Sequence, residues 1–212
     1  MKKIFLVALL TLTSLQVTAQ KTKKPVTPKN EVLATVDNVS AEIIVQNKVR
    51  KLVLFVKNET KTDTLLIKQL PDAKYKPNNF SLKSFTTSDT KLYHVSWQEM
   101  ILVDTKIKKE TTSITENQVW NTTTGKQLFN NFHKSYYLKE TQFLDKNKTA
   151  SHDVEKKSSE GSEFHLLPNG DISLFSKSQQ SHYVFNAAND KYEVKKAQAT
   201  SKASPKPKPK RR

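Results

Sequence analysis

A strand–turn–strand pattern occurs three times in the sequence and restricts the fold to a few β architectures. Phe164–Leu167 and Ile172–Phe175 are short, mostly apolar runs. Pro168–Asp171 separates them, and its Asn-Gly pair favours a tight β-hairpin turn. The same pattern recurs in Val119–Phe129, around Gly125, and in Tyr183–Val194, around Asn186–Asp190. Since no stretch has apolar residues at sustained helical spacing, these hairpins predict an all-β chain.

Two further patterns indicate antiparallel strands. Lys51–Lys57 (KLVLFVK) and Thr62–Leu70 (TDTLLIKQL) flank a polar break, which predicts a fourth hairpin. Tyr93, Val95 and Trp97 alternate with polar residues, the period of two that is typical of a half-buried strand. We therefore predict an antiparallel meander that closes as a barrel or as a two-sheet sandwich. The inward-facing side chains are expected to include Tyr93, Val95, Trp97, Ile172 and Leu174.

Two segments resemble the hairpins of β-propeller blades. They are Trp120–Phe129 (WNTTTGKQLF) and Leu167–Leu174 (LPNGDISL). A propeller has at least four blades of about 40 residues each, so a body of about 160 residues is long enough for the smallest propeller. The resemblance therefore implies a four-bladed propeller as an alternative fold, although no repeat at fixed spacing is visible.

The first residues have the order of a secretory signal peptide. A positive head, Met1–Lys3, precedes the apolar run Ile4–Leu15, and Val17 and Ala19 occupy the −3 and −1 positions of a cleavage point. The apolar run is shorter than the roughly 20 residues that span a bilayer, so we predict cleavage after Ala19 and export to the periplasm or the extracellular space. An uncleaved anchor is the alternative. The signal and the Lys/Asn/Thr-rich composition resemble those of small exported proteins of Bacteroidota.

The net charge of +16 comes mainly from the two ends of the chain. The segments 20–30 and Lys195–Arg212 contain basic residues and no acidic residue. Glu31–Val194 contains all 20 acidic residues and 22 basic residues, so this body is nearly neutral. We predict a disordered leader at 20–30, a single β-rich domain at 31–196 and a disordered tail at 197–212. Since the body has no basic excess, no nucleic-acid partner is expected for it.

The tail has a distinct composition. Pro205–Lys210 alternates proline with lysine, and such a sequence is expected to form an extended polyproline-II rod. It resembles the Pro-Lys spacers of energy-transducing envelope proteins of the TonB family, which implies a spacer and no activity. Closely spaced positive charges on a rod predict contact with anionic lipid headgroups or lipopolysaccharide phosphates. The residues predicted to make this contact are Lys206, Lys208, Lys210, Arg211 and Arg212.

Several kinds of chemistry are excluded by residues that the sequence lacks. It has no cysteine, and therefore no disulfide, thiolate zinc site, cysteine nucleophile or lipid-carrying cysteine. No serine has a glycine two residues away on both sides, as a hydrolase elbow requires. There is no glycine-rich phosphate loop, and no two histidines have the i, i+4 spacing of a zinc-hydrolase helix. No cofactor and no metal are predicted.

Histidines on predicted strands are one set of candidate functional residues. His94, His165 and His182 alternate with residues that are expected to point inward, so their imidazoles are predicted to face outward. The alternative is a barrel whose strands bring three histidines together on a metal. An enzyme pocket would instead gather two or more of these three and His133 with a carboxylate.

Carboxylates form a second set. Paired carboxylates are the catalytic groups of glycoside hydrolases, but on strands each is expected to face a lysine across a strand pair instead. The five candidates are Glu99, Asp104, Glu110, Glu116 and Glu140. The polar stretch Asp145–Glu163, which includes Ser151-His152-Asp153, is predicted to be a solvated loop.

Aromatic residues are mostly expected in the core of a β domain that has no disulfides. Tyr136 and Tyr137 are the exceptions and are predicted to contribute to a ligand groove, because adjacent strand residues face opposite ways and one of the two can be exposed.

These features favour an exported, envelope-associated, β-rich binding or structural module rather than an enzyme. A small periplasmic hydrolase and a lipocalin-like carrier, each with a site formed by convergent strand residues, are the alternatives. A pocket that gathers two or more strand histidines with a carboxylate would favour the hydrolase, and a hollow apolar barrel would favour the carrier. A filled interior or a shallow aromatic groove would favour the binding module. The sequence specifies neither the ligand nor the oligomeric state.

Overall fold

The computed structural model describes residues 30–71 and 75–195. Within these residues the chain forms thirteen β-strands and no helix, and every strand pairing is antiparallel, so the predicted all-β antiparallel fold is confirmed. No helix in these two ranges has the length and apolar character needed to cross a membrane. The predicted signal peptide, Met1–Ala19, the tail at 197–212 and nearly all of the leader lie outside the described residues.

Consecutive strands pair to make three meander sheets. The first sheet contains β1 (Glu31–Val36), β2 (Val39–Gln46), β3 (Val49–Lys57) and β4 (Thr62–Gln69). The central sheet contains β5 (Asn78–Thr87), β6 (Thr90–Asp104), β7 (Lys108–Asn121), β8 (Lys126–Phe143) and β9 (Ser151–Gly161). The third sheet contains β10 (Glu163–Leu166), β11 (Ile172–Phe175), β12 (Gln180–Asn186) and β13 (Lys191–Val194). The four hairpins predicted from the sequence, β3–β4, β7–β8, β10–β11 and β12–β13, are all present.

One face of the central sheet packs against the first sheet. Tyr93, Val95 and Trp97 of β6 are buried there against residues such as Leu52 and Leu54 of β3. The other buried members of this core are Val39, Ala41, Ile43, Val56, Leu70, Leu82 and Trp120. The predicted inward orientation of Tyr93, Val95 and Trp97 is confirmed.

The opposite face of the central sheet packs against the third sheet. Leu92 and Val119 of the central sheet form a buried cluster with Ile172 and Phe185. Half-buried side chains surround this cluster: Phe85, Leu128, Phe129, Phe164, Leu166, Leu174, Tyr183 and Tyr192. Ile172 and Leu174 therefore face inward, as predicted.

The fold thus has three layers of sheet, with the central sheet covered on both faces. Among the described residues, each sheet ends in strands that pair on one side only, so no sheet closes into a barrel.

The third layer explains why the predicted outward orientation of His94 is wrong. The His94 ring stacks on Phe164, with ring centroids 4.9 Å apart, and its Nε2 lies 3.1 Å from Oδ1 of Asn117. Burial, the largest effect, lowers the pKa of His94.

Four strands of the central sheet continue beyond both cores. We call this part the extension; it comprises residues 99–104, 108–114, 134–143 and 151–160. Every side chain from Met100 to Asp104 is exposed, and in β9 Val154 alone is half-buried while the other ten residues are exposed. Alternate side chains of one strand point to opposite faces, so each face of these two strands is open to solvent. In the extension as a whole, Leu138 of β8 is the one buried side chain.

The polar stretch Asp145–Glu163, predicted to be a solvated loop, is solvated but is not a loop. Its residues Ser151–Gly161 form β9, which pairs with β8 along its whole length. Cross-strand contacts support the pairing, since Asp153 accepts a hydrogen bond from Thr141 (2.8 Å) and lies 3.3 Å from Nζ of Lys139. A strand in a single layer buries neither face, so it has no apolar alternation by which the sequence could reveal it.

Candidate binding surface

Tyr136 lies in a shallow cleft on one face of the extension. Register places it on the same face as Tyr93, Val95 and Trp97. Its half-buried side chain lines a cleft of about 260 Å³ across β7, β8 and β9. The other lining residues are Glu110, Thr112, Lys134, Ser158, Ser159 and Glu160. A phenol ring beside hydroxyl and charged groups can contact a ligand that has both apolar and polar parts.

Tyr137 lies on the opposite face of the same strand. Nζ of Lys157 lies 5.4 Å from the centre of its ring, a cation–π contact. The thickness of the sheet therefore separates Tyr136 from Tyr137, and the two side chains do not line one groove. That either tyrosine binds a ligand stays a prediction.

A second cleft lies where the extension meets the third sheet. Its volume is about 390 Å³, and it is lined by His133, Phe175 and Lys177 together with the backbone turn at Gly161. The remaining lining residues are Ser159, Glu160, Glu163, Ser176 and Ser178. His133 is the single histidine in this cleft, and His165 is exposed as predicted, with its ring edge against Phe175. In the described part of the chain, no group of three or more His, Asp or Glu side chains could hold a metal ion.

A cluster of charged residues joins the first sheet to the base of the extension. Lys68 of β4 binds Glu99 and lies 3.6 Å from Oε1 of Glu116. Trp97 donates its indole N–H to Glu99 at 3.0 Å. Burial opposes ionisation of Glu99, but hydrogen bonds from Lys68, Tyr75 and Trp97 outweigh it and lower its pKa. Burial raises the pKa of Glu116 despite Lys68, and the nearby Glu99 adds to this effect.

The five candidate carboxylates differ in their partners and in their exposure. For Glu99 and Glu116 the expected lysine comes from another sheet rather than from across a strand pair, and neither carboxylate lines the clefts described above. Glu110 pairs with Lys108 of its own strand at 2.6 Å. Glu140 stands opposite Lys108 in the β7–β8 ladder and accepts a hydrogen bond from Gln142. Asp104 is exposed at the end of β6.

Sequence reasoning missed one constellation, formed by Ser173, His182 and Asp171. Ser173 Oγ lies 3.1 Å from Nδ1 of His182, and Nε2 of His182 lies 3.1 Å from Oδ2 of Asp171. A hydrolase triad uses the opposite ring nitrogens, and its serine is accessible, whereas Ser173 is 4% exposed. The arrangement therefore fixes His182 within the third sheet and is not a nucleophilic site. Ser173 and His182 are cross-strand neighbours, a relation that only the β11–β12 register reveals.

Comparison of the chain with models of protein families, with curated proteins and with solved structures finds no match. The predicted polyanion-binding residues of the tail, Lys206 to Arg212, lie outside the described residues.

Proposed function

We propose that the protein is an exported, envelope-associated binding module that holds its ligand on the extension of the central sheet. The observation that carries this proposal is the extension itself. Residues 134–143 continue β8 by about 30 Å, at 3.3 Å per residue, past the part of the sheet that contributes to the two cores. Ordering each of these residues costs conformational entropy. Leu138 is the one buried side chain among them, so burial offsets little of this cost and a role in binding accounts for the extension better than stability does.

The interior of the molecule favours a binding module over a carrier. Both spaces between the sheets are filled by side chains, including the fully buried Trp97 and Ile172. A lipocalin-like carrier requires a hollow apolar barrel, and the described sheets form two packed interfaces instead.

The polar groups also favour a binding module over a hydrolase. Ser173 is buried, Lys68 forms ion pairs with both Glu99 and Glu116, and the cleft at His133 contains a single histidine. Ser173 is thus closed to substrate, and Glu99 and Glu116 are both held by Lys68.

The Tyr136 cleft fits an envelope glycan. Tyr136 supplies an apolar ring, Thr112 and Ser158 supply hydroxyl groups, and Lys134 and Glu110 supply charges of both signs. Peptidoglycan combines sugar rings with charged peptide stems and can use all three kinds of group. We expect Tyr136→Ala to reduce co-sedimentation of the mature protein with purified peptidoglycan at least several-fold.

Tyr137→Ala is the matched control, because it removes the same side chain from the next position of the strand but from the other face. Retention on peptidoglycan should be unchanged in this variant. Equal retention of the wild type and Tyr136→Ala would remove the cleft from the account of function, as would equal losses in the two variants.

The tail is proposed to add a second contact, with anionic surfaces of the envelope. Each basic residue near such a surface contributes about 1 kcal/mol, and exposed charges are screened beyond about 8 Å at physiological ionic strength. A chain that ends at Val194 should therefore bind anionic vesicles more weakly than the chain that ends at Arg212, and the difference should shrink as salt is raised. Equal binding by the two chains, or binding that salt does not change, would contradict this role.

A further inference from the structure

We propose that two copies of the chain associate through the outer edge of β6, pairing antiparallel so that their central sheets become one continuous sheet. This inference is independent of the ligand proposed for the faces of the extension, because it uses the backbone edge and not the Tyr136 cleft.

The edge arises because β5 is shorter than β6. β5 pairs with β6 up to Gln98, where Asn78 is the last partner. From Glu99 to Asp104, β6 pairs with β7 and with no other strand of the described residues. Alternate backbone N–H and C=O groups along the outer side of this segment are therefore available to another strand.

The side chains of this edge are apolar and accessible. Met100, Ile101, Leu102 and Val103 follow one another without interruption, and Ile101 and Leu102 are 60% and 64% exposed. Met100 and Leu102 lie on one face of the sheet, and Ile101 and Val103 lie on the other, so an added strand would contact two of these side chains on each face. Such a segment promotes pairing with further strands unless charge or proline blunts it.

The opposite edge of the same sheet shows what a protected edge looks like in this protein. The outer strand there is β9, whose sequence SHDVEKKSSEG contains a single large apolar residue, Val154, among lysines and acids. The segment Glu99–Val103 has neither lysine nor proline. The contrast indicates that the β6 edge is kept open for a partner.

The pattern of the edge fits a second copy of itself. In an antiparallel strand pair, directly opposed residues project their side chains on the same side of the sheet. A two-fold axis that relates the two strands must therefore lie midway between the two copies of a single residue. With the axis at Ile101, Ile101 faces its own copy, Met100 faces Leu102, and Glu99 faces Val103. Lys68 already neutralises Glu99 within its own chain. With the axis at Leu102, Met100 would instead face the charged Asp104.

The length of the edge also fits a second copy. An added strand can pair with only five or six residues before it reaches Asn78, where β5 begins. The second copy contributes a free segment of that same length. An interface of one short strand pair is small, so the dimer is expected to be weak, of the kind that forms at high protein concentration.

Sedimentation velocity of the mature protein over a concentration series tests the proposal. The weight-average sedimentation coefficient of the wild type should rise with concentration towards the value of a dimer. The coefficient of Ile101→Lys should stay at the value of a monomer. Leu66→Lys is the matched control, because Leu66 is 47% exposed on β4, the edge strand of the first sheet. Monomeric wild type at every concentration, or loss of the dimer in Leu66→Lys, would overturn the proposal. Circular dichroism of each variant establishes that it is folded.

Cysteine cross-linking tests the register directly, and the absence of native cysteine makes the result unambiguous. Directly opposed residues of an antiparallel pair have Cα atoms about 4.5–5.5 Å apart, within disulfide range. Ile101→Cys should therefore oxidise to a covalent dimer. Val103→Cys should not, because the two copies of residue 103 would be offset by four residues, about 13 Å. Absence of the Ile101→Cys dimer, or equal cross-linking of both variants, would contradict the proposed pairing.

Discussion

Gly170→Ala is expected to lower the free energy of unfolding by about 3 kcal/mol. Gly170 has a φ of 84°, a conformation that costs a residue with a side chain about 1–2 kcal/mol. An added Cβ would also lie 2.5 Å from Cβ of Thr87 and 2.9 Å from its Oγ1. Both distances are shorter than van der Waals contact, so the third sheet would have to move away from the β5–β6 turn. Guanidinium chloride denaturation of the mature protein measures the loss.

Gly125→Ala separates the cost of the conformation from the cost of the clash. Gly125 also closes a hairpin at positive φ, 70°, but an added Cβ would make an ordinary contact of 3.5 Å with Leu65. Only the conformational cost should appear, about 1 kcal/mol. Adding Thr87→Gly to Gly170→Ala should recover part of the loss, because it removes the atoms that clash. Equal losses in the two single variants would show that the clash with Thr87 adds nothing to the conformational cost.

The hairpins were predictable wherever glycine or a cluster of turn residues marks them. The turn predicted at Pro168–Asp171 is a three-residue loop, Pro168–Gly170, closed by Leu167 N–H donating to Asp171 O and Gly170 N–H donating to Leu167 O. Pro168 fixes φ at the second position of the turn Leu167–Gly170, and Gly170 supplies the positive φ at its last position. Two other turns escaped prediction, because Asn47-Lys48 and Ser88-Asp89 adopt positive φ at both residues without any glycine.

The three-layer arrangement could not be read from the alternation in β6. The alternation correctly predicts that Tyr93, Val95 and Trp97 face a core. It also predicts that His94 and Ser96 face solvent, because both side chains are polar. Phe164 of the third sheet stacks on the His94 ring, and Asn117 of the central sheet itself supplies a hydrogen-bond partner, so a polar side chain is compatible with burial there. A residue's polarity therefore did not distinguish an open face from one that is covered by aromatic rings.

The candidate binding surface was predictable only in part. Tyr136 and Tyr137 were singled out because neighbouring strand residues face opposite ways, and the structure places them on opposite faces. The cluster of Lys68, Glu99 and Glu116 was not predictable, since Lys68 belongs to another sheet, 31 residues before Glu99. Packing between sheets brings these residues together, and no local pattern encodes it.

Lys68→Met is expected to lower the free energy of unfolding by about 2 kcal/mol at neutral pH. Glu116 stands opposite Trp97 in the β6–β7 ladder, so Glu99 is its diagonal neighbour on the same face. Without Lys68 both carboxylates would be partly buried with no counter-charge, and an unpaired charge of this kind is costly. The side chains are 16–31% exposed, so the loss should be smaller than the 3–5 kcal/mol of a fully buried pair. Lys68→Arg, which keeps the charge, should lose much less.

The two carboxylates should respond to neutralisation with opposite signs. The pKa of Glu99 is lowered by folding, so its ionised form contributes stability at neutral pH that is lost as the pH falls through the folded pKa. The pKa of Glu116 is raised, so its stabilising contribution is present at acid pH and is lost as the pH rises through the folded pKa. At pH 7, Glu99→Gln should therefore destabilise the protein and Glu116→Gln should stabilise it, each by about 1 kcal/mol. The effect of Glu116→Gln should diminish as the pH falls through the raised pKa of Glu116, and the effects of Glu99→Gln and Lys68→Met should diminish further as the pH falls through the lower pKa of Glu99. Denaturation curves at pH 7 and across an acid series decide the matter, and the same sign for the two glutamine variants at pH 7 would mean that Lys68 serves both carboxylates alike.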